Sequence, residues 1–362
     1  MKTAVSPSVI AILALSALLT AGGFLFCEPL MRLLNTPESV FDEAMRYAAV
    51  VCGGVGVTIL YNMCASFMRS LGNGRMPLVF LTISCVLNIA LDTLFVVVLH
   101  IGVVGTALAT LIAQCISALL SMAYIARAFK PFLPRKADFR APAGLWTQMA
   151  ASGLSMGLMN SVYALGSLTM QRAINTLGET VMAAHTSARR ILSLTGAPMS
   201  NLGTAGAVFI SQNCGAQAYD RVKKGIRVGI FCSVTIAETV ALLIFIFSPK
   251  LIGLFTGDAE SIAFGVMHER TTTPFFFLLA YSHCMAAIFR GAGKSTVPML
   301  VMMLCWCIIR VIYVTVAVKF FPVLQTVSWA YPITWGLSTL VFTLYYFKAD
   351  WMHAFERREK HA

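Results

Sequence analysis

What most constrains this chain is where its charges are missing. Asp, Glu, Lys and Arg are absent from residues 3–27, 47–68, 141–171, 191–219, 271–289 and 320–347. Residues 76–99, 101–126, 228–249 and 295–318 hold at most one each: Asp92, none, Glu238 and Arg310. A helix crossing the hydrocarbon core of a bilayer needs about 20 mostly apolar residues. The ten segments therefore predict ten membrane-spanning helices.

Composition agrees. Charged residues make up 12% of the chain and hydrophobic ones 58%, whereas soluble domains carry about 25% charged residues. The apolar excess needs lipid to face. The net charge of +12 raises the question of a polyanionic partner, and the placement of the basic residues answers it. With both termini cytoplasmic, 18 of the 27 Lys and Arg residues fall in inside segments, which is the positive-inside bias of a multi-pass membrane protein. That distribution argues against nucleic-acid binding. Of the ten cysteines, Cys27, Cys52, Cys64, Cys85, Cys115 and Cys232 lie in apolar runs, without a CxxC pair or a His-rich cluster. They read as small hydrophobes, so neither a disulfide framework nor a metal centre is expected. The first apolar run is too long for a cleaved leader and reads as a span.

The chain repeats itself. Arg69 and Arg290, Gly72 and Gly293, and Pro77 and Pro298 are each separated by 221 positions, and each pair sits between two apolar runs. At that offset the four spans of residues 3–126 match the last four, leaving 141–171 and 191–219 without partners. A complete repeat would hold six spans, and an even number makes the two bundles parallel. The expected fold is an all-α membrane protein of two parallel helical bundles, six plus six when complete and four plus six here. By the repeat offset, about 80 residues and two helices would precede Met1. The expected organisation is an N-terminal lobe at residues 1–127, a basic, Pro-punctuated cytoplasmic linker at 128–144, a C-terminal lobe at 145–348 and a cytoplasmic tail at 349–362.

Asp92 is the most informative side chain. A carboxylate at bilayer depth costs about 2.5–3.5 kcal/mol on insertion scales and usually faces a cavity or partner. Asn88 stands one turn earlier on the same helical face, and Thr110 follows on the next, Ala/Gly-rich span. Tyr47 and Asn62 share the preceding span, about four turns apart. The plain alternative is a polar network that only holds helices together. Arg310 and Glu238 either line a cavity or play structural parts, and Asn160 and Gln171 either line a substrate path or bridge helices.

The passage Phe67 to Gln114 resembles the multidrug and toxic compound extrusion family. Arg69-Ser70-Leu71-Gly72, Pro77, Leu87-Asn88-Ile89-Ala90-Leu91-Asp92 and Gly102-Val103-Val104-Gly105-Thr106-Ala107-Leu108-Ala109-Thr110 carry the likeness. The second half adds Gln212-Asn213-Cys214-Gly215-Ala216 and Phe289-Arg290-Gly291-Ala292-Gly293-Lys294. The resemblance covers essentially the whole chain, beginning at what would be the family's third helix. It implies export of small amphipathic or cationic drugs in exchange for Na⁺ or H⁺, by alternating access between two lobes. It implies a non-enzymatic, monomeric protein of the cell membrane, with no cofactor beyond the coupling ion. In the branch whose cation site lies in the N-terminal lobe, Asp92, Asn88, Thr110, Tyr47 and Asn62 match positions around that site. Asn160, Gln171 and Arg310 are the candidates for the substrate path. The family's site also uses an aspartate on its first helix, which this chain does not contain. Two alternatives stand beside antiport: a flippase for lipid-linked saccharides from the same superfamily, and a truncated fragment without activity.

Overall fold

The computed structural model describes residues 2–33, 38–133 and 143–351. It is helical almost throughout, and no strand occurs among the described residues. Each apolar run becomes a helix because, in lipid, only intrahelical bonding satisfies every backbone N–H and C=O within one segment. The helices are α1 (Lys2–Leu33), α2 (Glu38–Ser70), α3 (Arg75–Asp92), α4 (Val103–Ala128), α5 (Ala143–Asn175) and α6 (Glu179–Gly215). They continue with α7 (Tyr219–Gly253), α8 (Ala259–Thr272), α9 (Phe276–Gly291), α10 (Thr296–Met302), α11 (Arg310–Phe320) and α12 (Leu324–Lys348). α8 runs into α9 through a 3₁₀ turn at Thr273–Phe275, and α10 into α11 through a π-helical stretch at Met303–Ile309. A second π stretch, Thr93–Val98, extends α3.

Among the described residues, seven helical rods are long and apolar enough to cross a membrane. They correspond to seven of the ten expected spans. The other three, 141–171, 191–219 and 320–347, fall on α5, α6 and α12. These are equally long helices, but Ser, Thr, Gly, Asn and Tyr interrupt their apolar runs. The expected linker and tail lie largely outside the described residues, at 134–142 and 352–362.

The chain forms two compact units, Met1–Met149 and Ala150–Ala362. In unit 1, α2 packs against α1 and α4, and α4 against α3. The core of this unit is small, with Cys64, Met68, Phe80 and Ile125 at its centre. α3 buries only Pro77, Phe80 and Ser84, and most of the large apolar side chains of α1 and α3 are exposed. In unit 2, α6, α7 and α9 pack against one another, and α8 and α12 close around them. Its core is far larger, with Trp335, Phe276, Phe289 and Phe342 fully enclosed. In this unit α6 and α9 meet through small residues. Gly203 faces Ala287 and the His283 carbonyl, and Gly291 faces the Ala207 backbone. Such small-xxx-small stripes let helices in lipid approach closely.

The sequence repeat has a structural counterpart. α2 and α9 both end in a glycine with positive φ, Gly72 at 82° and Gly293 at 78°. At the first end, Gly72 N–H donates to Arg69 O and Asn73 N–H to Met68 O, both at 3.0 Å. At the second, Gly293 N–H donates to Arg290 O at 2.9 Å and Lys294 N–H to Phe289 O at 2.8 Å. Both are Schellman closures, which use glycine because the left-handed conformation penalises a Cβ. Pro77 and Pro298 are each the third residue of the next helix, where the missing N–H costs nothing.

Candidate functional site

In unit 1, polar side chains link three helices. Asn88 Nδ2 on α3 donates to Thr110 Oγ1 on α4 at 3.3 Å. One turn along α4, Gln114 Oε1 accepts from Thr58 Oγ1 on α2. One turn along α2, Asn62 Nδ2 donates to the Thr58 carbonyl at 2.9 Å. The pairs Asn88/Asp92, Thr110/Gln114 and Thr58/Asn62 are all four residues apart, so each presents two polar groups on one helical face. Gly54 allows α2 and α4 to come this close, since a Cβ there would lie 2.7 Å from Leu111 Cδ1.

Asp92 closes α3 and is followed at once by the π stretch Thr93–Val98. Single π turns inside α-helices recur at functional sites. Oδ1 of Asp92 is buried and has no hydrogen-bond partner among the described residues. A buried carboxylate oxygen left this way is costly, and it suits a bound cation or a proton. Its neighbours Asn88 and Thr110 supply further oxygen atoms, the donor type that hard cations take.

Of the five residues expected at the cation site, Asn88 and Thr110 are brought together beside Asp92. Asn62 joins them through Thr58 and Gln114. Asn62 also lines an apolar cavity of about 820 Å³ with residues of α1, α2 and α4, including Met63, Phe67 and Met122. Tyr47 is 39% exposed. α2 is continuous from Glu38 to Ser70, which separates Tyr47 from Asn62 by about 22 Å along the axis. No hydrogen bond among the described residues joins Tyr47 to the other four. Thr58 and Gln114 were not singled out in the sequence. Their signal was a polar residue one turn from Asn62 and from Thr110 in otherwise apolar runs.

Unit 2 holds a different constellation. A cavity of about 240 Å³ is lined by Arg189, His283, Trp306, Arg310, Tyr331 and Trp335, among others. A second cavity, of about 230 Å³, shares His283 and Trp306 and has Asn160 on its wall. Arg310 is 4% exposed. Its Nε and Nη2 donate to Thr334 Oγ1 at 3.0 and 2.6 Å. Its guanidinium lies 4.6 Å from the Tyr331 ring centroid and 5.8 Å from that of Trp306. Such contacts are cation–π attractions. The π stretch Met303–Ile309 ends at Arg310, so two of the intramembrane charges, Asp92 and Arg310, each adjoin a π turn. Gly166 seats α5 on this stretch, since a Cβ there would lie 2.6 Å from Cys307 Sγ.

The remaining expected residues separate. Asn160 and Arg310 border adjoining cavities, whereas Gln171 borders another, with Thr186, Arg190 and Thr256, and donates to Asn175 Oδ1 at 2.9 Å. Glu238 has a structural part: its Oε1 accepts from Phe277 N–H at 2.7 Å, satisfying an orphan donor at the start of α9. Arg189, from the charged stretch between the apolar runs 141–171 and 191–219, lies ten residues into α6. A buried histidine pair was also not foreseen. His185 and His268 stack edge-on at 5.3 Å, His268 Nδ1 meets Ser328 Oγ at 2.7 Å, and neither ring nitrogen of His185 has a partner among the described residues.

Comparison with known proteins identifies the family and the fold. Residues 1–94 and 155–316 match the MatE family model. The chain is 27% identical over 312 residues to the probable multidrug resistance protein YpnP of Bacillus subtilis, covering 86% of this chain and 69% of that protein. It is 24% identical over 300 residues to the probable multidrug resistance protein NorM of Thermotoga maritima, covering 82% of this chain and 64% of that one. The chain thus spans about two thirds of the length of these curated relatives. A crystal structure of MATE in complex with MaL6 superposes with a TM-score of 0.89 at 21% identity, over 95% of this chain and 78% of the other. Two helical units with the 221-residue repeat, intramembrane charges in polar and aromatic settings, and a family match over most of the chain lead to one conclusion: this is a multi-pass membrane protein of the MATE family of multidrug efflux transporters.

Proposed function

We propose that the chain exports small amphipathic compounds across the cell membrane in exchange for Na⁺ or H⁺, by alternating access between lobes at residues 1–127 and 145–348. Both termini would be cytoplasmic, with the basic segments retained on that side. The observation that carries the coupling is the unpartnered Oδ1 of Asp92 beside the Asn88–Thr110 pair. A cation from outside would take up that oxygen, with Asn88 one helical turn away and Thr110 Oγ1 bonded to Asn88 from α4. A proton would do the same by converting the carboxylate to a hydroxyl donor. In either form the charge cost of Asp92 differs between loaded and unloaded states. That difference is what lets an ion gradient bias a two-state equilibrium. The Thr58–Gln114 contact extends the polar path from α4 to α2. The large apolar cavity reached by Asn62 offers Met and Phe surfaces, which re-pack readily around varied ligands.

The test is Asp92→Asn in proteoliposomes loaded with an amphipathic dye. Removal of the charge should abolish the dependence of extrusion on an imposed Na⁺ or H⁺ gradient, with helical content unchanged. Gradient-driven extrusion equal to that of the parent chain would end the proposal. Imposing the two gradients separately identifies the coupling ion.

A further inference from the structure

The cavity around Arg310 carries positive charge, with no carboxylate among the described residues that line it. Its charged walls are Arg310 from α11 and Arg189 from α6. The residues that α5, α9, α12 and the π stretch contribute include no Asp or Glu. The single ion pair among the described residues is Arg32–Glu28 on α1. Glu269 is buried nearby on α8, but it neither lines the cavity nor pairs with Arg310. A guanidinium taken out of water without a carboxylate is costly, and intramembrane charges of this kind mark ligand paths.

The geometry of Arg310 is half used. A guanidinium has five N–H donors. The Thr334 hydroxyl takes one from Nε and one from Nη2, and that hydroxyl is itself anchored to the Ala330 carbonyl at 2.7 Å. This holds the plane of the group, with Tyr331 against its face. Among the described residues, the Nη1 donors and the second Nη2 donor meet no protein acceptor. That free end has the fork shape that binds carboxylate, sulfonate or phosphate oxygens through paired N–H bonds. The surrounding walls are aromatic. Tyr163, Trp306 and Trp335 line the same cavity, and His283 stacks on Trp306 at 5.1 Å. Offset or edge-on contact with such rings favours a flat aromatic ligand.

We infer that the unit 2 cavity binds an aromatic anion, its acidic group on the free edge of Arg310 and its ring among Tyr163, Trp306 and Trp335. The adjoining cavity past His283 and Asn160 receives the remainder of a larger ligand. Under the export reading, this narrows the amphipathic compounds taken by unit 2 to those carrying negative charge. The binding site itself does not depend on that reading.

Two ring-matched probes test it, naphthalene-2-sulfonate and trimethyl(2-naphthyl)ammonium, both permanently charged. Binding to the full chain is measured by titration calorimetry in nonionic detergent, with empty micelles as the blank. The sulfonate should bind about tenfold or more tighter, as expected for hydrogen bonds to a charged donor. Arg310→Met should erase the preference, and Arg310→Lys should keep only part of it. Arg189→Gln, at an exposed position, should narrow it severalfold, and it decides the matter if Arg310→Met does not fold. Equal or tighter binding of the ammonium probe by the parent chain overturns the inference. So does an undiminished sulfonate preference in the folded variants. Because no gradient is applied, failure here is distinct from failure of the Asp92 coupling test.

Discussion

Gly291→Ala isolates how closely α6 and α9 must approach to build the unit 2 cavity. α6 contributes Arg189 to that cavity and α9 contributes His283. A Cβ on Gly291 would lie 3.0 Å from Ala207 Cα and closer still to its carbonyl oxygen. Both obstacles are backbone, so no side-chain rotation relieves them. The helices must part, and a gap of roughly 0.5–1 Å forfeits a quarter to a half of each dispersion contact across the seam. Overpacking of this kind costs about 1–3 kcal/mol. It outweighs the gain of about 1 kcal/mol that alanine brings to a helix interior. Gly206 on α6 is the internal control, since a Cβ there meets nothing within 4 Å. Gly206→Ala should therefore show the propensity gain alone. In detergent, thermal unfolding of Gly291→Ala should fall by several degrees, at about 2–4 °C per kcal/mol for a unit of this size, while Gly206→Ala should hold or rise. Opposite signs from the same chemical change would separate packing from propensity. A Gly291→Ala chain as stable as the parent would refute the close approach, and with it the argument that this seam sets the cavity.

Beside the Asp92 and Arg310 tests, two further outcomes are expected. Gly72→Ala meets no atom within 4 Å, so its penalty is backbone strain alone, about 1–2 kcal/mol; Gly72→Asn should lose less, and equal stability of all three by chemical unfolding would contradict the Schellman closure. The second concerns Asp258, which caps α8 by accepting from Ser261 N–H at 2.8 Å. The Ser261 hydrogen bonds hold its carboxyl below the usual carboxylate range. Stability from this cap is therefore present above the ordinary Asp pKa and is lost as pH falls through the depressed folded value. Hydrogen exchange at Ser261 should quicken as pH drops from neutral to below the carboxylate range, relative to intrinsic exchange. The response should vanish in Asp258→Asn.

Much of the architecture was legible in the chain itself. Absence of charge over about 20 residues leaves a segment only helical ways to satisfy its backbone in lipid, so every charge-poor run became a helix. The 221-residue offset was equally readable, because a Schellman glycine and a first-turn proline are local backbone requirements. They recur as the same residues wherever the same corner is built, and Gly72 and Gly293 share nearly the same φ. Asp92 stood out for the same kind of reason, since a carboxylate in an apolar run is costly whatever surrounds it.

What faces each polar group was decided only by packing. Thr58 and Gln114 are ordinary in sequence and meet because Gly54 lets α2 approach α4. Glu238 and Arg310 looked alike as lone charges in spans. Helix packing sent the first to cap α9 and the second into an aromatic cavity beside Arg189. A linear pattern carries the cost of burying a charge, because that cost belongs to the residue and its solvent. The partner that offsets the cost is chosen by helices far apart along the chain, and only the tertiary structure brings them together.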